Sequence, residues 1–302
     1  MQARQVDANH LEQVPCNLCG SSRSVLWRER LDKAVNYRFR NVRCCDCGLI
    51  YVSPRLQPGL RATFNSWEFI DDRESEYEAH AAAHVFTARQ RLARLERFSR
   101  GPGTLLDVGC AMGYFLHTAA QRGWQAYGVE FDPQPAARAR ERFGLQIKVG
   151  TLEHAKFEDG QFDCVHVNDV IEHLPDPLAS LCEIKRILKP GGIAFVGTHN
   201  VAGLRARLDG DSWRDLGGLD HLFCFSPKTL RAMLQKAGFE ILTTVGGEGL
   251  GLVAAAFRGR PITHAFEAVE SSAKWRFVYN CSALLRTATL LGSEIQVYAR
   301  RR

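Results

Sequence analysis

Two cysteine pairs carry the most specific chemistry in the sequence. Cys16-x-x-Cys19-Gly20 and Cys44-x-x-Cys47-Gly48 are separated by twenty-four residues. Each pair presents two thiolates on one tight turn, and the glycine after it permits the positive φ that such a turn needs. Two such turns facing each other make a tetrahedral four-thiolate site suited to zinc, with no position open for water, so the expected role is structural. Cys45 would break the paired spacing and stands outside the set. The second feature is Leu105-Leu106-Asp107-Val108-Gly109-Cys110-Ala111-Met112-Gly113, an apolar strand feeding a glycine-bearing loop and then a helix. Gly109 lets a ligand approach the backbone and Gly113 opens the helix close to the strand, at the carboxyl end where such sheets bind ligands. Glu130 ends the next strand 21 residues after Gly109, the position from which a carboxylate accepts hydrogen bonds from both ribose hydroxyls. Ala111 replaces the middle glycine of G-x-G-x-x-G, so the loop suits a nucleoside without phosphates better than a dinucleotide, and hydride transfer is disfavoured.

The elements that must position these groups follow from periodicity. Phe86, Leu92, Leu95 and Phe98 predict a helix within Ser66–Arg100, ended by Gly101-Pro102-Gly103. From Thr104 to Gly246 short apolar strands (104–108, 125–130, 145–149, 162–167, 193–198) alternate with helical stretches (113–122, 133–143, 177–188). A helix over 227–237 and a strand over 239–245 complete the alternation. That order predicts a mostly parallel sheet with helices on both faces. Gly246–Ser293 is long enough for two helices, and Glu294–Arg300 alternates like a closing strand.

Composition bounds the rest. The chain has 302 residues, 45% hydrophobic and 24% charged, with a net charge of +6. That excludes a disordered chain, and the mild excess charge permits an anionic partner without demanding one. The longest apolar run, Gly249–Phe257, stops at Arg258, short of the roughly 18 residues that span a bilayer. Met1–Asn9 lacks the apolar core of a secretion signal. Ten cysteines without such a signal imply reduced thiols and a cytoplasmic protein.

Residues 104–246 resemble a class I S-adenosylmethionine-dependent methyltransferase. The glycine loop Asp107–Gly113, the acid Glu130, Phe162–Val165 followed by Asp169–Leu174, and the turn Leu188–Gly192 match its motifs in order. Val42–Tyr51 and Ser53-Pro54-Arg55 resemble a leader found before small-molecule methyltransferase domains. The resemblance implies a Rossmann-like α/β sheet of seven strands in the order 3-2-1-4-5-7-6, the last antiparallel. Around it come a zinc ribbon (1–58), a helical lid or linker (59–103) and a methyltransferase domain (104–302) with a helical cap insertion at 246–293. It further implies a cofactor site built from Asp107, Gly109, Cys110, Gly113, Glu130, Phe131, Thr151, Leu152 and Asn168, with adenine near Gly150–Leu152.

Methyl transfer is an in-line displacement, so positioning and removal of the acceptor's proton do most of the work. His173 and His221 are the candidate catalytic bases, with His199 third. Asp169-x-x-Glu172-His173, read as a helical turn, places two carboxylates and an imidazole on one face. It resembles the cation motif of ubiquinone-pathway O-methyltransferases, with Asp169 in place of Glu, and offers a second divalent-cation site. In related domains Glu-His occurs without metal, and Glu172 then orients His173. Arg38, Arg40 and Arg43 make the ribbon basic, which solvation of a small metal-stapled module also explains. The expected reaction is O-methylation of a sugar, lipid-linked or natural-product acceptor; an RNA methyltransferase gripping substrate with the ribbon, and a non-catalytic scaffold, are the alternatives. Phe266, Val269, Trp275, Phe277, Val278, Tyr279, Leu284, Leu285 and Leu290 in the insertion are expected mostly to pack a core, part of them forming a cap over the acceptor. A homodimer surface or peripheral membrane contact are the other readings.

Overall fold

The computed structural model describes residues 6–33, 35–61, 77–99, 101–247, 268–269 and 271–302. Phe266, Gly249–Phe257 and the 66–76 part of the expected helix lie outside the described residues. In the cysteine-bearing segment five short strands form: β1 (Leu11–Glu12), β2 (Ser24–Asp32), β3 (Tyr37–Cys44), β4 (Ile50–Val52) and β5 (Arg55–Leu56). β2 and β3 are an antiparallel hairpin, β4 pairs with β3, and β1 pairs with β5. Along β3, Phe39, Asn41 and Val42 turn inward while Arg38, Arg40 and Arg43 face solvent.

Helix α1 (Ala81–Phe98) buries Phe86, Leu92 and Leu95 and leads into the large sheet. Its strands and helices alternate as β6 (Thr104–Val108), α2 (Tyr114–Gln121), β7 (Gln125–Glu130), α3 (Pro133–Phe143), β8 (Gln146–Val149), β9 (Phe162–Asn168), α4 (Pro177–Ile187) and β10 (Leu188–His199). There follow α5 (Leu204–Asp209), the two-residue β11 (Phe223–Cys224), α6 (Pro227–Lys236), β12 (Phe239–Gly246), α7 (Ala273–Thr289) and β13 (Glu294–Arg301). The sheet order is β8-β7-β6-β9-β10-β13-β12, with β13 antiparallel to both neighbours. This is the expected order. The anticipated Leu188–Gly192 turn is instead absorbed into β10, whose pairing with β9 shifts register between Leu188 and Ile193.

Helix starts are written locally. Asp132, Asp176 and Ser226 each cap a helix whose next residue is proline, and their side chains accept the N–H of Gln134, Ala179 and Thr229. Strand burial then separates two cores. On β9, Cys164 packs with Leu92, Leu95, Leu105 and Phe195 on one face, while Val165 packs with Leu106, Ile184 and Val196 on the other. The second of these cores runs on into Cys16, Leu18, Cys44, Leu49 and Tyr51, so the cysteine module shares apolar packing with the sheet domain.

That sharing is reinforced by β11. It pairs antiparallel with β4, Phe223 opposite Tyr51, and makes a four-stranded sheet β11-β4-β3-β2 across the junction. The buried Asn41 amide donates to the Gly217 carbonyl at 3.0 Å, and Arg28 donates to the Gly210 carbonyl at 2.8 Å. In the tail, α7 turns Tyr279 and Ser282 inward, Tyr279 meeting Phe86 edge-on at 5.6 Å. Phe277, Leu284 and Leu285 lie on the other side and are exposed, so core packing accounts for only part of this apolar set.

A side chain at Gly217 would strike Asn41 and lie 2.8 Å from Val52 Cγ2. Gly217→Ala should therefore lower unfolding free energy by about 1–3 kcal/mol, read from denaturant titration. A variant as stable as the parent would show that this junction is not closely packed.

Candidate active site

The glycine loop leaves the carboxyl end of β6, the centre of the parallel strands. Gly109 sits at φ +70° and a Cβ there would run into Val170; Gly113 sits at φ +76° and a Cβ would lie 2.6 Å from Leu145 Cδ1. Both positions therefore need glycine for space as well as conformation. Ala111 is held at φ +45°, and its N–H donates to Glu130 Oε2 at 2.8 Å. The other oxygen, Oε1, accepts the Asp132 N–H at 3.0 Å. Burial raises the Glu130 pKa, opposed by those two backbone donors. Each oxygen keeps lone-pair capacity for a further donor. Glu130 thus clasps the loop from β6 to the tip of β7.

The other expected cofactor residues fall around this clasp. Phe131 stands half-exposed after β7. The Thr151 hydroxyl pairs with His154 Nδ1 at 2.8 Å after β8, whereas the Leu152 side chain is buried in the core. Asn168, at the end of β9, donates to Asp169 Oδ2 at 2.6 Å. The Cys110 thiol is buried and its pKa is pushed up by that burial, which makes it a poor nucleophile.

One residue at this end escaped sequence reasoning. His166, on β9 beside β6, places Nδ1 2.6 Å from Asp107 Oδ1, both side chains being buried. Its ring is sandwiched between Phe115 (3.6 Å, 11°) and Phe195 (4.6 Å, 10°). Burial lowers its pKa against the pull of Asp107, so a neutral imidazole donates Nδ1–H to the carboxylate. Nothing local marks this pair. Only the parallel register that sets Asp107 opposite His166 creates it.

Beyond Asn168 the chain turns sharply, with Asp169 at φ +53°. That left-handed residue breaks the helical face on which Asp169, Glu172 and His173 were expected to converge. His173 Nδ1 pairs with the Asp220 carbonyl at 3.0 Å. Glu172 instead turns inward, 2% exposed, towards His199 and His221; one donor atom from each of the three lies within 4.8 Å of the others. His199 Nε2 is 4.0 Å from Glu172 Oε1 and 3.9 Å from Asp169 Oδ1. Neither Glu172 oxygen has a hydrogen-bond partner of good geometry. Burial and the charge of Asp169 push its pKa well up, outweighing the nearby Thr198 hydroxyl. His221 Nδ1 pairs with the Asp215 carbonyl at 3.2 Å, and burial, with His173 and His199 nearby, keeps its pKa well below the ordinary imidazole range. The His173 and His221 rings are 4.7 Å apart.

In the N-terminal module the four cysteines meet. Cys16 and Cys47 Sγ are 3.4 Å apart and Cys19 and Cys44 Sγ 3.5 Å, close to the roughly 3.7 Å edge of a tetrahedron with about 2.3 Å metal–sulfur bonds. Gly20 (φ +79°) and Gly48 (φ +81°) close the two turns with matching hydrogen bonds to the Cys16 and Cys44 carbonyls. Burial raises the Cys47 thiol to about 11, whereas at Cys44 the amides of Cys47 and Asp46 outweigh burial and bring the thiol down to about 7. Cys45 is exposed and outside the cluster. These donors suit a soft, tetrahedral metal.

Comparison with known proteins decides the family. A family model described as a methyltransferase domain matches residues 77–244, more than half of the chain. The chain belongs to that family. This methyltransferase is 31% identical over 187 residues to a ubiquinone biosynthesis O-methyltransferase of Pseudomonas paraeruginosa, covering 58% of this chain and 79% of the relative. It is 30% identical over 176 residues to a probable S-adenosylmethionine-dependent methyltransferase of Mycolicibacterium smegmatis, covering 57% and 66% of the two chains. A solved methyltransferase of Thermotoga maritima, described as a possible histamine N-methyltransferase, superposes with TM-score 0.51 at 21% identity over 78% of this chain and 99% of its own. That likeness concerns the fold alone. Like the family, the chain is an S-adenosylmethionine-dependent methyltransferase.

A buried neutral His166 has a signature in the methyltransferase's stability. Below the ordinary imidazole pKa of 6.5, the unfolded chain takes up a proton that the fold excludes, so this residue costs stability as pH falls. The raised Glu130 and Glu172 act in the opposite sense, costing stability as pH rises. Urea unfolding at pH 7.5 and 5.5 should therefore show a smaller loss in His166→Gln than in the parent. Equal losses would mean that His166 titrates normally.

Proposed function

We propose that this methyltransferase transfers the methyl group to an oxygen atom of a small-molecule acceptor: a sugar, a lipid-linked intermediate or a natural product. The observation that carries the reading is the pair of backbone-anchored imidazoles. A carbonyl can only accept, so Asp220 and Asp215 place the protons of His173 and His221 on Nδ1 and leave the lone pair of each ring on Nε2. A hydroxyl must lose its proton as it attacks, and an imidazole that presents its Nε2 lone pair can take it. Burial makes His221 a weaker base than a free imidazole, so His173 is the first candidate. The site also has the right neighbour: Gly109 of the glycine loop packs against Val170, three residues before His173. The O-methyltransferase named above supports oxygen as the acceptor atom.

S-adenosylmethionine supplies an electrophilic methyl on a sulfonium. Glu130 would receive the ribose hydroxyls while clasping Ala111 and Asp132. Asp107, Gly109, Cys110 and Gly113 would form the loop side of the site, Phe131, Thr151 and Leu152 the adenine side, and Asn168 the β9 end. Two backbone bonds to a carboxylate, plus the ribose contacts, are each worth about 1.5–3 kcal/mol. Glu130→Ala should then weaken S-adenosylhomocysteine binding by roughly 100-fold in a calorimetric titration, with the melting temperature recorded as a control for folding. Unchanged affinity would remove Glu130 from the site. Labelled methyl groups should appear on hydroxyl-bearing small molecules; incorporation into RNA instead would overturn the acceptor assignment.

The four cysteines are proposed to hold one structural zinc. Metal analysis should find stoichiometric zinc that Cys16→Ser removes, with a less cooperative thermal transition. Zinc content indifferent to Cys16→Ser would refute the site.

A further inference from the structure

We propose that Glu172, His199 and His221 form a second metal site, for a first-row divalent cation of the manganese-to-zinc series, facing the acceptor side of the crevice. The three residues come from the turn after β9, the end of β10 and the loop before β11, and one donor atom from each lies within 4.8 Å of the others. Two further observations point to a cation. The first is Glu172, 2% exposed, with the Thr198 hydroxyl nearby but no hydrogen-bond partner of good geometry on either carboxylate oxygen. A buried carboxylate is ordinarily paired or coordinated. The second is Asp215, which holds both imidazoles from behind: its carbonyl accepts His221 Nδ1–H at 3.2 Å and its Oδ2 lies 3.5 Å from His199 Nδ1. Metal-binding histidines are commonly oriented in this way, through the ring nitrogen that does not bind the ion. Nε2 of His199 faces Glu172 Oε1 at 4.0 Å and Asp169 Oδ1 at 3.9 Å. Donors sharing an ion with bonds of about 2.1 Å stand roughly 3 Å apart, so closure needs movements of under about 1 Å per side chain.

Two imidazoles and a carboxylate suit borderline divalent ions better than calcium or magnesium. Three protein ligands leave coordination positions open for an acceptor oxygen, whose proton would be more easily lost beside the cation. The inference deepens the proposed methyl transfer and rests on it for the identity of that oxygen; with His221 Nε2 given to the cation, His173 is left as the base. It departs from the Asp169, Glu172 and His173 set expected from sequence by replacing two of the three ligands.

The test uses the full chain with its cysteine site loaded with zinc, titrated with Mn2+ and followed by the electron paramagnetic resonance signal of free Mn2+. One ion per chain should bind with a micromolar dissociation constant. His199→Gln and the isosteric Glu172→Gln should weaken it at least tenfold, and His173→Gln should leave it unchanged. No bound Mn2+, binding indifferent to His199→Gln, or equal loss in His173→Gln would each overturn the site. The measurement needs neither cofactor nor acceptor. Failure here with intact S-adenosylhomocysteine binding would remove only the metal, and the reverse would remove only the methyl-transfer reading.

Discussion

The backbone of Leu222 and Phe223 is held from two sides, and most of the site depends on that arrangement. Both N–H groups point to the Glu172 carbonyl, at 2.8 and 3.2 Å. On the other side Phe223 pairs with Tyr51, and the Leu222 carbonyl accepts the Val52 N–H at 2.9 Å. Each bond contributes only about 1 kcal/mol net, but a buried backbone group left unpaired would cost more. Three chain segments are therefore locked together: the turn after β9, the loop carrying Asp215 and His221, and the strand that follows the second cysteine pair. His221 lies one residue before Leu222, so its position is inherited from this lock. The cysteine module is then tied to the loop that carries His221 rather than appended to the domain, because its β4 strand pairs with β11 and Val52 donates to the Leu222 carbonyl.

Electrostatics sets the character of the crevice. Glu172, Asp169, Asp215 and Glu294 gather near His199, and burial raises the pKa of Glu294 as it does that of Glu172. Acidic groups buried together disfavour their charged forms, while burial and neighbouring imidazoles disfavour charge on His221. The outcome is a His221 whose charged form is disfavoured, in the same crevice as Glu172 and Glu294, whose protonated forms are favoured. At the other end the same principle keeps His166 neutral against Asp107, between two aromatic rings that exclude water. The central strands thus present two different polar environments, joined by the packing of Gly109 on Val170.

Much of this was legible in the sequence because it is encoded over short distances. The C-x-x-C-Gly turns form from five consecutive residues, the proline-headed helices start at their own caps, and the strand-loop-helix around Gly109 is a local motif. The alternation of elements then restricts the sheet order, since right-handed crossovers leave few arrangements. The trio Asp169, Glu172 and His173 shows where this reasoning stops. Its spacing satisfies a helical turn, but Asp169 adopts a left-handed conformation that redirects the side chains.

Local signals account for the fold class, the glycine loop with its acid and the pairing of the cysteines, because each rests on local propensity or on the period of buried residues; the strand order is an expectation carried by the family resemblance. Long-range packing sets His166 against Asp107, turns Glu172 towards His199 and His221, and joins β11 to the sheet of the cysteine module. Those contacts join residues from 27 positions apart (Glu172 and His199) to 174 (Ile50 and Cys224). They depend on strand register and on loop paths settled by burial and hydrogen bonding of the whole chain, for which no short stretch of sequence carries a signal.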